Sequence, residues 1–124
     1  MQLRLTDREL DVMAVLWDRE SGTVAEVRGA LADDLAYTTV LTVLQTLEDK
    51  GFVAHVEEGK AHRYHPLVAR EAAERSAVNR LVSSLFGGSP ELLLTHLMSE
   101  QPLSAAELKR LRKLLDTRLK GRRP

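Results

Sequence analysis

Three threonines, Thr38, Thr39 and Thr42, and one glutamine, Gln45, fall within the run "YTTVLTVLQTLEDK". A threonine hydroxyl donates or accepts at a base edge and its methyl packs on the thymine methyl, while a glutamine amide can bond adenine N6 and N7 together. The set suits A·T-containing DNA read from the major groove, the groove that exposes the thymine methyl. Threonine slightly disfavours helix, so a helix serving only as cover would carry Lys and Glu outside. The bland alternative is that these are tolerated surface residues. Candidates for the DNA backbone stand nearby: Tyr37 at the helix start, Lys60 at a hairpin tip, Arg63 on its second strand, and Arg28 and Lys50. Such contacts fix position without reading sequence, and ordinary solvated charge accounts for Arg28 and Lys50 as well.

Other chemistries are poorly supplied. The chain has four histidines and no cysteine, which removes disulfides, thiolate metal sites and cysteine nucleophiles together. If a hairpin turns at Glu58-Gly59, Glu57 pairs with Lys60 and His55 lies opposite His62 on the same face. Two imidazoles are too few for a closed metal site; a packed or solvated pair is the plain reading, and a pH-sensitive or weakly metal-binding hairpin the sharper one. His65 and His96 offer less. There is no phosphate-cradling glycine loop, metal-ligand triplet or nucleophile with its base. The expectation is a protein that is not an enzyme and needs neither cofactor nor metal.

The elements that must position these side chains follow from periodicity. "LTDRELDVMAVLWDRES" opens on Thr6 as N-cap with Glu9 three residues later, a capping box, and Leu10, Met13, Ala14 and Trp17 recur at helical spacing. Thr23 caps a short second helix, "VAEVRGAL", with Val24, Val27 and Leu31 as its stripe. A third helix runs from about Tyr37 to Lys50 and stops at Gly51. Val40, Val43, Leu44 and Leu47 stand at i, i+3, i+4 and i+7, so Thr38, Thr42, Gln45 and Asp49 face outward. "FVAHVEEGKAHRYHP" then reads as two strands, closed by Pro66. Three helices followed by a hairpin is the order of a winged helix-turn-helix, whose third helix enters the major groove.

Beyond Leu67 the pattern is all helical. A long helix ends at Gly87-Gly88, "SPELLLTHLMSEQ" has Ser89 as cap and Pro90 at its first position, and "LSAAELKRLRKLLDTRLKG" has Ser104 as cap with Glu107 three residues on. The fold class expected is mainly α with a small β-hairpin wing, as a winged helix-turn-helix over residues 1–67 and a helical dimerisation domain over 68–124. The last helices display Leu81, Leu85, Phe86, Leu93, Leu97, Leu108, Leu111 and Leu115, more apolar surface than short helices bury on one another. Leaving such a surface wet costs several kcal/mol at about 25 cal/mol per Å². A homodimer is the simplest cover, with packing back onto the first domain as the alternative.

Composition agrees with a small globular protein: 44% hydrophobic and 29% charged leave nothing disordered or membrane-like to explain. No window approaches the roughly 18 apolar residues of a membrane span, and "MQLRLTDREL" has no signal-peptide pattern, so a cytoplasmic protein without membrane insertion is expected. Charge is uneven. Through Leu67 there are seven basic and twelve acidic side chains, a net of −5; beyond it, eleven and six leave +5. An acidic reading domain should bind random DNA weakly, because non-specific affinity comes mostly from counterion release.

"LTDRELDVMAVLW", "YTTVLTVLQTLEDKGFV" and "EEGKAHRYHP" resemble the corresponding segments of the penicillinase-repressor (BlaI/MecI/CopY) family of bacterial transcription regulators, and the likeness runs essentially end to end. The resemblance implies a homodimeric repressor on double-stranded operator DNA, with winged helices on the halves of a dyad carrying TACA/TGTA-like half-sites and the C-terminal helices intertwined. It implies base reading through Thr38, Thr39 and Thr42. In the antibiotic-responsive branch a sensor-linked protease triggers cleavage at an Asn-Phe bond; Thr95-His96 stands at that place here. The copper-responsive branch has a cysteine-rich tail, whereas this chain ends "RLKGRRP". A winged-helix protein-interaction module and a small-molecule-responsive regulator remain the alternatives, although no polar cluster in an apolar stretch favours a ligand.

Overall fold

The computed structural model describes residues 4–121; the first three residues and Arg122 to Pro124, the end of the "RLKGRRP" tail, lie outside the described residues. The order is α1 (Asp7–Arg19), β1 (Gly22–Thr23), α2 (Val24–Ala30), α3 (Tyr37–Asp49), β2 (Val53–Glu58), β3 (Ala61–Pro66), α4 (Arg70–Leu85), α5 (Pro90–Glu100) and α6 (Ala105–Gly121). The expected class, mainly helical with a hairpin wing, is the one observed. One strand was not foreseen: β1 adds to the hairpin to give the antiparallel order β1-β3-β2. Two residues carry too little alternation to register as a strand.

Both early helices start on reciprocal caps. Thr6 and Glu9 form a complete capping box on α1, as do Thr23 and Glu26 on α2, and each hydroxyl cap contributes about 1 kcal/mol. The end of α3 is equally defined. Gly51 adopts φ 84°, its N–H bonds the Glu48 carbonyl, and the Phe52 N–H bonds the Leu47 carbonyl at 2.9 Å. That pair of bonds is the Schellman stop, and glycine takes the left-handed position without a Cβ clash. It turns the chain directly from α3 into β2.

The core of this part gathers Val12, Met13 and Leu16 from α1, Val24 and Val27 from α2, Val40, Leu44 and Leu47 from α3, and Phe52, Val53 and Tyr64. The expected α1 stripe needs correction. Leu10 is 48% exposed, Ala14 and Trp17 are half-buried, and the inward face is Glu9, Val12, Met13 and Leu16. The i, i+3, i+4, i+7 series holds, but its first member is an acid whose burial depends on partners brought from elsewhere.

The hairpin register is also corrected. Glu58 pairs with Ala61, Glu57 with His62 and His55 with Tyr64, so the turn is Gly59-Lys60 rather than Glu58-Gly59. Gly59 has φ 61°, which places the glycine at the first turn position, as type II′ hairpins require. His55 and His62 are therefore diagonal neighbours and not direct partners, although they share a face.

The chain divides into two compact units, Met1–Arg80 and Leu81–Pro124, where the expected boundary lay at Leu67. The first unit runs on past the wing: the Trp17 indole N–H donates to the Val68 carbonyl at 2.8 Å, the Arg70 guanidinium stands 5.4 Å from the Trp17 ring centre, and Ala73 is buried. In the second unit Ser89 and Ser104 cap α5 and α6 as expected. Neither helix buries a single residue.

Candidate nucleic-acid interface

Packing of α3 decides which of its side chains are offered outward. Val40, Leu44 and Leu47 are fully buried and Val43 half-buried, leaving Thr38, Thr39, Thr42, Gln45 and Asp49 exposed. At about 100° per residue, Thr38, Thr42 and Gln45 lie within an arc of roughly 60° and span about 10 Å along the axis. That length covers about three base-pair steps of roughly 3.4 Å. Thr39 stands to one side of the arc.

The threonine hydroxyls are not equivalent. Thr42 Oγ1 donates to the Thr38 carbonyl at 2.9 Å, and Thr46 Oγ1 to the Thr42 carbonyl at 2.9 Å. With its proton committed to the backbone, the Thr42 hydroxyl offers lone pairs, which accept from adenine N6 or cytosine N4. At the start of α3, Ala36 is the N-cap and provides no side-chain bond. The first amides of this helix therefore lack the side-chain acceptor that α1 and α2 possess, and such amides suit a phosphate.

The candidate backbone contacts separate into free and committed charges. Lys60 is exposed at the wing turn and has no ion pair among the described residues. Arg28 donates through Nε to the Leu35 carbonyl at 2.7 Å, bracing the turn before α3. It borders, with exposed Tyr37, an open cleft of about 440 Å³ that also carries Asp33 and Asp34. Lys50 Nζ lies 2.8 Å from Glu9 Oε1. Arg63 is bonded to Glu26, Glu58 and Ser21.

These pairs set the local titration. Burial pushes the Glu9 carboxyl up, but the bond from Lys50, the Thr6 N–H and the Lys50 charge together hold it below its ordinary value. Arg63, and for Glu26 also the Thr23 N–H, hold the Glu26 and Glu58 carboxyls low, while the two carboxylates push the Arg63 guanidinium further up. Burial, then the Glu48 charge, raises the Tyr64 phenol.

His55 and His62 stack with ring centres 4.2 Å apart, and His55 Nδ1 lies 2.7 Å from Glu48 of α3. No group of three or more metal-ligating side chains occurs among the described residues. The carboxylates Glu26, Glu48 and Glu58 escaped notice in the sequence, where only Glu26 carried a signal, three residues after its cap Thr23.

In the second unit, Leu81, Leu85, Leu97, Leu108 and Leu115 are exposed, while Leu93, Leu111 and Phe86 are half-buried, Phe86 against His96 at 5.5 Å between ring centres. Helices α5 and α6 border a largely apolar groove of about 350 Å³ lined by Leu94, Met98, Leu108, Leu111, Leu114 and Leu115, together with Arg112 and Arg118. Leu94 and Leu114 extend the surface foreseen from sequence.

Comparison with known proteins sets this geometry among relatives. Residues 5–117 match the family described as Penicillinase repressor. The chain is 40% identical over 116 residues to the Transcriptional regulator BlaI of Mycobacterium tuberculosis, covering 90% of this chain and 83% of that one. It is 24% identical over 115 residues to the Penicillinase repressor of Bacillus licheniformis, covering 91% and 90%. Among solved structures, the DNA-binding domain of the repressor BlaI superposes with a TM-score of 0.52 at 30% identity, over 56% of this chain and 88% of that one. Wild-type MarR from E. coli, in its apo form, shares the fold with a TM-score of 0.54 at 19% identity, over 93% and 78%.

Proposed function

The chain belongs to the penicillinase repressor family of bacterial winged-helix transcription repressors, which are not enzymes, and from that premise we propose that it represses as a homodimer on a dyad operator with TACA/TGTA-like half-sites. The observation that carries the reading is the arc of Thr38, Thr42 and Gln45 on α3, exposed opposite a fully packed inner face. Thr38, Thr39 and Thr42 read the half-site, with Gln45 at the far end of the helix reaching an adenine where the groove brings one close. Tyr37, the uncapped amides of α3, Arg28 and Lys60 meet phosphates. Lys50 and Arg63, whose charges are held by carboxylates, are left out of the phosphate set.

Two copies are needed for affinity. The acidic reading unit has little counterion release to draw on, so specific binding depends on two recognition helices entering successive major grooves, about 34–36 Å apart. Leu81, Leu85, Phe86, Leu93, Leu97, Leu108, Leu111 and Leu115 form the contact between copies. The protein acts in the cytoplasm, where its operator is; among the described residues no helix is long and apolar enough to cross a membrane. The signal that relieves repression is unknown; proteolysis in the dimerisation helices by a sensor-linked protease is one route, and Thr95-His96, standing where the antibiotic-responsive branch has Asn-Phe, speaks against cleavage at that bond.

The test is selection of bound duplexes from a random library by the purified protein at fixed, near-physiological salt. Enrichment of a two-fold symmetric sequence with TACA/TGTA-like halves is expected. Absence of any enriched dyad overturns the reading and points to a protein partner or a required ligand.

A further inference from the structure

Arg63 has the most fully committed charge of the reading unit. A guanidinium carries five N–H donors, and five bonds leave this one: Nε to Glu58 Oε1 at 3.0 Å, Nη2 to Glu58 Oε2 at 2.9 Å, Nη2 to Glu26 Oε2 at 3.1 Å, Nη1 to Glu26 Oε1 at 2.9 Å and Nη1 to Ser21 Oγ at 3.3 Å. Both carboxylates are gripped through two oxygens, a geometry that a lysine ammonium cannot reproduce. No donor remains for a phosphate, and the charge around the guanidinium is already balanced by two acids.

The partners span three elements. Arg63 sits on the central strand β3, opposite Thr23 of β1 and Val56 of β2. Glu26 lies in the first turn of α2, where its Oε1 also accepts the Thr23 N–H at 3.2 Å, so the capping box of α2 orients the carboxylate that Arg63 grips. Glu58 closes β2 immediately before the Gly59-Lys60 turn. A continuous chain of charged hydrogen bonds thus runs from the N-terminus of α2 through Arg63 to the tip of the wing.

We propose that Arg63 is a positioning residue for DNA binding: through Glu26 and Glu58 it sets the wing tip, and with it Lys60, against α2, and it makes no phosphate contact itself. The proposal rests on the DNA-binding reading above for its consequence and on the free protein for its geometry. A positioning arginine and a phosphate-binding one give opposite signs on removal of their acid. Without Glu26, a phosphate-binding Arg63 is released and binding strengthens; a positioning Arg63 loses its anchor and binding weakens.

The experiment compares full-length wild type, Arg63→Gln, Arg63→Lys and Glu26→Gln, with thermal melts to fix a temperature at which all are folded. Amide hydrogen exchange in the free protein reads wing order, and binding to a TACA/TGTA dyad duplex across a salt series reads contacts. Expected are faster exchange over residues 56–62 in all three variants, affinity lower by about tenfold as charge-assisted bonds are lost, and an unchanged dependence of log K on log salt. Arg63→Lys should not rescue. Unchanged wing exchange overturns the proposal, as does a salt slope shallower by about 0.9 per copy in Arg63→Gln or tighter binding by Glu26→Gln. If wild type binds no duplex, the repressor reading falls, and wing exchange still decides the role of Arg63.

Discussion

Thr42 shows how a side chain acquires direction from its neighbours. Its hydroxyl proton is used by the Thr38 carbonyl, so toward DNA it is an acceptor beside a methyl group. Thr42→Ala removes both the lone pairs and the γ-methyl. The expected outcome is a loss below the roughly 1–3 kcal/mol of a good bidentate base contact, with relaxed preference at one operator position and unchanged preference elsewhere; repeating the library selection with the variant reads this directly. Equal affinity and identical site preference in Thr38, Thr39 and Thr42 variants would falsify the reading of α3. Thr38 and Thr42 were legible as an outward pair because they lie on the face opposite the apolar series of Val40, Leu44 and Leu47. The back-bond was not, since a threonine within a helix can bond either backbone or solvent.

Between elements, the Glu9 and Lys50 pair joins the start of α1 to the end of α3. Glu9 is only 4% exposed, and its carboxyl is held below its ordinary value near 4.5. A depressed carboxyl in the folded state contributes stability that is present above the unfolded value and lost as pH falls through the folded one. Glu9→Gln preserves size and cap but removes the charge. At pH 7 the variant should be less stable by about 1.5–3 kcal/mol, the range for bonds to charged groups, and the difference from wild type should close as pH drops below about 4.5. Urea midpoints across that window measure it; a difference independent of pH would mean that the pair acts through packing alone. The capping boxes, the Gly51 stop and the third helix were all readable as local signals. The buried acid and the one-residue register of the wing were not, because a strand's register is decided by its partner.

For the whole molecule, the proposed function assigns reading to the first unit and assembly to the second. The second unit leaves leucines wet, with Leu119 71% exposed, and such a surface is expected to be buried in a dimer. The double variant Leu111→Asp/Leu115→Asp should run as a monomer in sedimentation and lose operator binding by several orders of magnitude, while the reading unit keeps its far-ultraviolet signature and cooperative melt. A dimeric variant with full affinity would exclude this surface as the interface. Wild-type binding should also depend weakly on salt. With Arg28 and Lys60 from each copy, about four phosphates are neutralised, for a slope of log K against log salt of about −4; participation of Lys50 and Arg63 would roughly double it.

Sequence by itself determined the helices and the hairpin of this protein, most of their caps and stops and the outward threonine face, because each is written in spacing over a few residues, and its end-to-end likeness to known segments pointed to the family. Tertiary structure decided which charges are free. Arg63, Lys50, Arg28 and Lys60 are alike in sequence as basic side chains, yet Glu26 and Glu58 hold the first, Glu9 the second and the Leu35 carbonyl the third, while Lys60 alone has no bonded partner among the described residues. Those partners lie five to 41 positions away in the chain, too far for periodicity to register and within hydrogen-bond reach only once the helices and the wing have packed.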